Sequence, residues 1–139
     1  MSTETNKTIV QRMVTAINQQ NLAEIDAVFA PDLAQEWKSV TLPWLYSTFA
    51  EHYVEITEML AEDDRVVFWG DTSGLHTGEV EGIAPTGRRW TNKGVFLLRL
   101  QAGKPGEVKI AEIRGLFDNL NLIKQFGITI TPAADQREE

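Results

Sequence analysis

The apolar residues of this chain change their spacing near residue 53, and that change limits the fold more than any other feature. Before it, Ile9, Val10, Met13, Val14 and Ile17 recur at helical intervals, with Lys7, Arg12 and Gln19 off the stripe. This spacing predicts one amphipathic helix over about 4–20. Asn21 followed by Glu24 resembles a capping box, opening a short second helix through Ile25, Val28 and Phe29 that Pro31 and Asp32 stop. Pro43 suits the first turn of a third helix over 37–53, with Trp44, Leu45, Phe49 and Tyr53 on its buried side and His52 as a solvated surface residue.

Beyond that point the period is two. In "YVEITEML", Val54, Ile56 and Glu58 alternate with Tyr53, Glu55, Thr57 and Met59, which reads as a strand. "RVVFWGDTSGLHTG" is β-branched and aromatic, then broken by glycine, so it is a long strand that must bend. "RRWTNKGVFLLRL" and "VKIAEIRGLFD" are further strands, and "NLNLIKQFG" is a short helix capped by Gly127. Helices first and hairpin-linked strands afterwards mean an α+β fold on an antiparallel sheet. No repeat or linker divides the chain, so residues 1–139 read as one domain, with a polar tail from about 128 onward.

Strict alternation sorts the strands. Trp90, Asn92, Phe96, Leu98 and Leu100 share the expected inner face of their strand. In the last strand Val108, Ile110, Glu112, Arg114, Leu116 and Asp118 share one face, a mixture of aliphatic and charged groups that suggests a cavity wall. Glycines at 70, 74, 78, 82 and 94 would let the sheet curl, and a curled sheet closed by helices makes a small-ligand pocket.

Composition narrows the occupant. The balance of 13 Lys+Arg against 20 Asp+Glu, a net charge of −7, argues against nucleic acid or an anionic membrane as partner. With no cysteine and only two widely separated histidines, a metal site is not expected. The opening residues lack the features of a signal peptide, and no apolar run could span a bilayer, so a cytoplasmic location is expected.

One stretch marks a family. "HTGEVEGIAPTGRRW", with the acidic turn before it and "KIAEIRGLFDNLNLIKQFG" after it, resembles the SnoaL-like polyketide cyclase group of the nuclear-transport-factor-2-like superfamily. The pattern H-T-G-E-x-x-G-I-x-P-T-G-R is met by His76, Thr77, Gly78, Glu79, Gly82, Ile83, Pro85, Thr86, Gly87 and Arg88. Asp64, Arg99, Glu112, Asp118, Gln125 and Gly127 match further along, and the first two helices are similar as well. Three places depart from the pattern. Glu36 and Trp37 stand near where a histidine is usual, "FAE" replaces F-P-D, and Arg114 replaces a tryptophan.

The resemblance implies a cone-shaped barrel built from a strongly curved antiparallel sheet and three N-terminal helices. It also implies a cofactor-free lyase or isomerase acting on a polyketide-like polycarbonyl substrate by intramolecular aldol cyclisation or isomerisation. Asp118 would be the general acid/base in an apolar cavity that raises its pKa, with His76 as auxiliary. From the residues alone, Asp118 could equally cap the terminal helix, and His76 could simply hydrogen-bond the loop. Glu112 and Arg114, about 7 Å apart along one face, are read either as an ion pair ordering the pocket wall or as an anion site. Trp37, Trp69, Trp90, Asn92 and Phe96 complete the expected pocket. Epoxide hydrolysis, dehydration and non-catalytic binding of a small ligand are the alternatives. A hydrophobic small molecule and a second copy of the chain are the expected partners.

Overall fold

The computed structural model describes residues 2–133. Three helical segments precede the sheet. Helix α1 (Thr3–Gln19) buries Ile9, Val10, Met13, Val14 and Ile17, and it starts on the Ser2 side chain, which accepts from the Thr5 amide. Helix α2 (Leu22–Val28) starts on Asn21, whose side chain accepts from the Glu24 amide. The third segment runs unbroken as α3 (Pro31–Glu36), a wide π-type turn (Trp37–Thr41) and α4 (Leu42–Thr48).

The third segment corrects the expected helix over 37–53 at both ends. Pro31 stops α2, but at the first turn of α3 its missing N–H costs nothing, so the same residue also opens a helix. Pro43 has no N–H to give the preceding turn, and just before it the chain widens so that Leu42 N–H reaches back to the Trp37 carbonyl. The strand then begins at Phe49, which moves His52 from a helix onto a strand.

Strands β1 (Phe49–Glu62), β2 (Arg65–His76), β3 (Arg89–Ala102) and β4 (Val108–Phe117) form one antiparallel sheet in sequential order. The sheet is strongly bent but open: the order places β1 and β4 at its two edges, so the expected barrel is an unclosed one. Helix α1 packs across β1, β2 and β4, and the short α5 (Asn119–Gln125) packs on β3. Gly70 sits opposite an irregularity in β1 between Ile56 and Glu58, where a Cβ would collide with the Glu55 carbonyl.

The core lies between α1–α4 and the concave face, where Val10, Met13, Ile25, Val28, Phe29 and Leu42 meet Val66, Phe68, Leu98, Leu100 and Ile110. Burying each such side chain contributes roughly 1.5–3 kcal/mol. No helix among the described residues is long and apolar enough to cross a membrane. The expected polar tail is described only as far as residue 133; residues 134–139 lie outside the described part.

Candidate functional site

Two β-bulges decide which side chains reach the concave side. In β1 the register slips between Ala50 and Tyr53, and Glu51 takes a left-handed φ of 56°. Phe49 and His52 are three apart, so regular pleating would send them to opposite faces. The extra residue turns both inward. In β4 the register slips opposite Arg99 and Leu100, which pair with Glu112 and Ile110 and leave Ala111 extra. Ile110 therefore shares the concave side with Ile113, Gly115 and Phe117, while Glu112, Arg114 and Leu116 face out.

The concave side and the helices enclose a cavity of two adjoining chambers. The one beside α5, about 300 Å³, is lined by Phe49, Trp90, Asn92, Leu122 and Phe126, with Val80 and Glu81 from the β2–β3 loop. The one beside the helical layer, about 230 Å³, is lined by Ile17, Trp37, Thr41, Phe96, Ile113 and Gly115. Trp44, Leu45, His52, Thr72 and Phe117 belong to both and form the waist between them. Gly115 and Gly94 make room for the Phe117 ring, whose atoms lie 2.8 and 2.9 Å from where their Cβ atoms would be.

The polar groups of this cavity are few and incompletely paired. Thr72 Oγ1 donates to the Asn92 backbone carbonyl at 3.1 Å, and Asn92 Oδ1 accepts from Asn121 Nδ2 at 3.2 Å. Trp90 is 3 % exposed, and its Nε1–H has no acceptor among the described residues. His52 Nδ1 is likewise buried without a partner. Most buried polar atoms are hydrogen-bonded, so two orphans on the walls of one cavity mark where a ligand would bond. Burial also pulls the His52 pKa from 6.5 down to about 4, so the ring is neutral at physiological pH. Its centroid lies 6.4 Å from Phe49 and 6.2 Å from Trp90.

Trp37, Trp90, Asn92 and Phe96, expected in the pocket, line the cavity. His76 does not. It is wholly buried at the end of β2, where Nδ1 accepts from the Thr86 amide at 3.2 Å and meets Thr86 Oγ1 at 2.9 Å. That backbone donor fixes Nδ1 as an acceptor and leaves the proton on Nε2. The ring stacks on Phe126 at 3.9 Å, so His76 fastens the "HTGEVEGIAPTGRRW" loop and α5 beneath the cavity.

Asp118 is also corrected. It is exposed, and its Oδ1 accepts from the Asn121 amide at 3.1 Å as the N-cap of α5. Its neighbours Phe117 and Asn119 line the cavity, whereas Asp118 borders a separate groove of about 500 Å³ on the outer face with Trp69, Lys93 and Leu116. Trp69 is thus an outer-face residue. Glu112 pairs across strands with Arg99 at 3.1 Å rather than with Arg114, and that guanidinium holds its carboxyl below the usual carboxylate range. Arg114 is exposed on the same outer face. The mixed face inferred for β4 came from counting straight through a bulge.

His52 was the candidate site residue missed. Its signal was present: extending the alternation of Val54 and Ile56 back by one step puts His52 on their face. Among the described residues, no three His, Asp or Glu side chains converge closely enough to hold a metal ion.

A profile of the SnoaL-like polyketide cyclase family matches residues 7–126. The chain belongs to the SnoaL-like polyketide cyclase family. Solved structures agree on the fold. AclR from Streptomyces galilaeus, which carries a provisional hydroxylase assignment, superposes with a TM-score of 0.76 at 25% identity over 94% of this chain and 87% of that one. A SnoaL-like polyketide cyclase from Agrobacterium tumefaciens superposes at 0.77 with 12% identity, covering 91% and 100%. IdmH from Streptomyces antibioticus, provisionally a polyketide cyclase, superposes at 0.73 with 19% identity, covering 88% and 99%. No curated protein sequence matches significantly. This SnoaL-like chain therefore keeps the family fold while placing a histidine, rather than the aspartate, inside its cavity.

Proposed function

We propose that this SnoaL-like chain is a cofactor-free acid/base enzyme. It binds an apolar, carbonyl-bearing molecule of polyketide type and moves the proton on which intramolecular aldol cyclisation or isomerisation depends. One observation carries the reading: His52, a neutral imidazole with an unpaired buried nitrogen, stands at the waist of an aromatic cavity. A C–H bond flanked by carbonyls is acidic enough for such a base. The proton passes from carbon to His52, and the carbonyl oxygen gains the charge that the unpartnered Trp90 N–H can meet. The enolate carbon then attacks a further carbonyl along the same chain, beyond the two that flank it, and the imidazolium returns its proton to the new alkoxide. Burial disfavours the imidazolium, which favours that return.

The test is solvent deuterium exchange, followed by NMR, at the carbon between the carbonyls of a phenyl-substituted 1,3-diketone. His52→Gln should slow the catalysed exchange by about a hundredfold or more, while Asp118→Asn, which preserves the cap, should leave it unchanged. The reverse pattern would return the proton to Asp118. A second reading, a non-catalytic binding domain, is favoured by the solvated, capping state of Asp118. Binding without any catalysed exchange would select it.

We also propose a homodimer through the outer sheet face, where Val95, Leu97 and Leu116 are exposed beside Trp69.

A further inference from the structure

The two chambers differ in chemistry, and the difference bears on what could fill them. Apart from the shared waist, the α5-side chamber carries the Asn92 amide and the unpaired Trp90 N–H, and Glu81 lies on its wall. On the helix side the walls are Ile17, Trp37, Val54, Phe96 and Ile113, and Thr41 brings the one hydroxyl outside the waist among the described lining residues. A polar group placed there would lose its water for little in return. The helix-side chamber holds about 230 Å³, whereas an apolar cavity of about 150 Å³ already admits benzene. One aromatic ring with a short substituent fits.

The waist joins the two chemistries. His52 and Thr72 are its polar members, and Trp44 and Phe117, both exposed, leave it within reach of solvent. A ligand lying across the waist would present the atoms at the junction of its two halves to His52.

We propose that the substrate is a two-part molecule: a single apolar ring, or an alkyl group of similar size, occupies the helix-side chamber, and a dicarbonyl portion occupies the α5-side chamber. The reacting carbon, flanked by the two carbonyls, lies at the waist end of the dicarbonyl portion, beside His52. This inference rests on the proposed acid/base reading only for the role of that carbon; the partition of the ligand stands on the chamber walls alone.

The experiment measures binding to the full-length chain by tryptophan fluorescence, with 1-phenylbutane-1,3-dione and pentane-2,4-dione as probes. Ile113→Phe fills the helix-side chamber from β4, and Thr41→Phe fills it from the helical layer, so the question survives if one variant fails to fold. Wild type should bind the phenyl dione about tenfold or more tightly than the short one, since a buried ring is worth more than that in a preformed pocket. Each folded filling variant should lose about tenfold for the phenyl dione, because overpacking excludes the ring, and should leave the short dione unchanged. Equal affinity for the two probes, or phenyl binding that both fillings leave intact, would overturn the two-part substrate while leaving the proposed chemistry standing. Sensitivity to filling together with unaltered exchange in His52→Gln would keep the two-part site and remove the catalytic reading. Failure of both diones to bind the folded wild type would overturn both.

Discussion

The concave and outer faces of the sheet are made by the same four strands, often by adjacent residues, and they differ in what their polar groups can do. On the concave side Trp90 and His52 hold nitrogens that neither protein nor bulk water satisfies. On the outer side Glu112 meets Arg99, Lys93 meets Asp71, and Asp118 meets the α5 backbone, all with water at hand. The outer face is richer in charge, yet several of its charges already have partners. Unsatisfied buried polarity also occurs away from the cavity, at Asn6 Oδ1 and His76 Nε2, but only at Trp90 and His52 among the described residues does it line a space that could hold a ligand.

The comparison breaks first at the outer apolar patch. Leu116→Glu should weaken self-association, read by sedimentation equilibrium, by about a hundredfold or more, because a symmetric contact would bury two unpaired carboxylates. Affinity for the phenyl dione should be unchanged. A monomeric wild type would remove the outer face as an interface.

Acid should act next, and on the concave side. Between pH 6.5 and about 4 the unfolded chain takes up a proton on His52 that the folded chain refuses, so stability falls as pH drops through that window. The lowered pKa corresponds to a loss of up to about 3 kcal/mol at that residue, less what water at the waist screens. Urea titrations at pH 7 and pH 4 should show a smaller loss in His52→Gln than in wild type. Equal losses would mean that His52 is solvated.

A smaller effect is expected at the rim. Asp118→Ala should cost about 1 kcal/mol of stability by thermal melting, while Asp118→Asn should cost almost nothing, since both natural residues cap equally well. A large loss in the Asn variant would show that the charge has work beyond the cap. Smallest of all, Glu112→Gln should leave both ligand affinity and exchange within about twofold, as exposed ion pairs contribute little.

Much of this was legible in the chain. Helix α1, the Asn21 cap, the four strands, the short α5 and the inward set Trp90, Asn92 and Phe96 all follow from local spacing and capping chemistry. So did the family, through the long loop motif. Pro43 opens α4 as its sequence position suggests, but Pro31 misled because proline ends one helix and opens another with equal ease. His52 was misplaced because the expected helix over 37–53 overran a strand that begins at Phe49. Glu112, Arg114 and Asp118 were misplaced for another reason: alternation predicts a face only while each residue pairs with one partner.

The sequence by itself therefore determined most of the helices and strands, their order in the sheet, and to which family the chain belongs, because those depend on neighbours a few residues apart. Only the tertiary structure decided which side chains enter the cavity where a strand bulges. A bulge is a relation between two strands, and one unpaired residue in it exchanges inside for outside along everything that follows. At Glu51 that exchange brings His52 into a cavity where its nitrogen finds no partner. At Ala111 it sends Glu112 and Arg114 out to water.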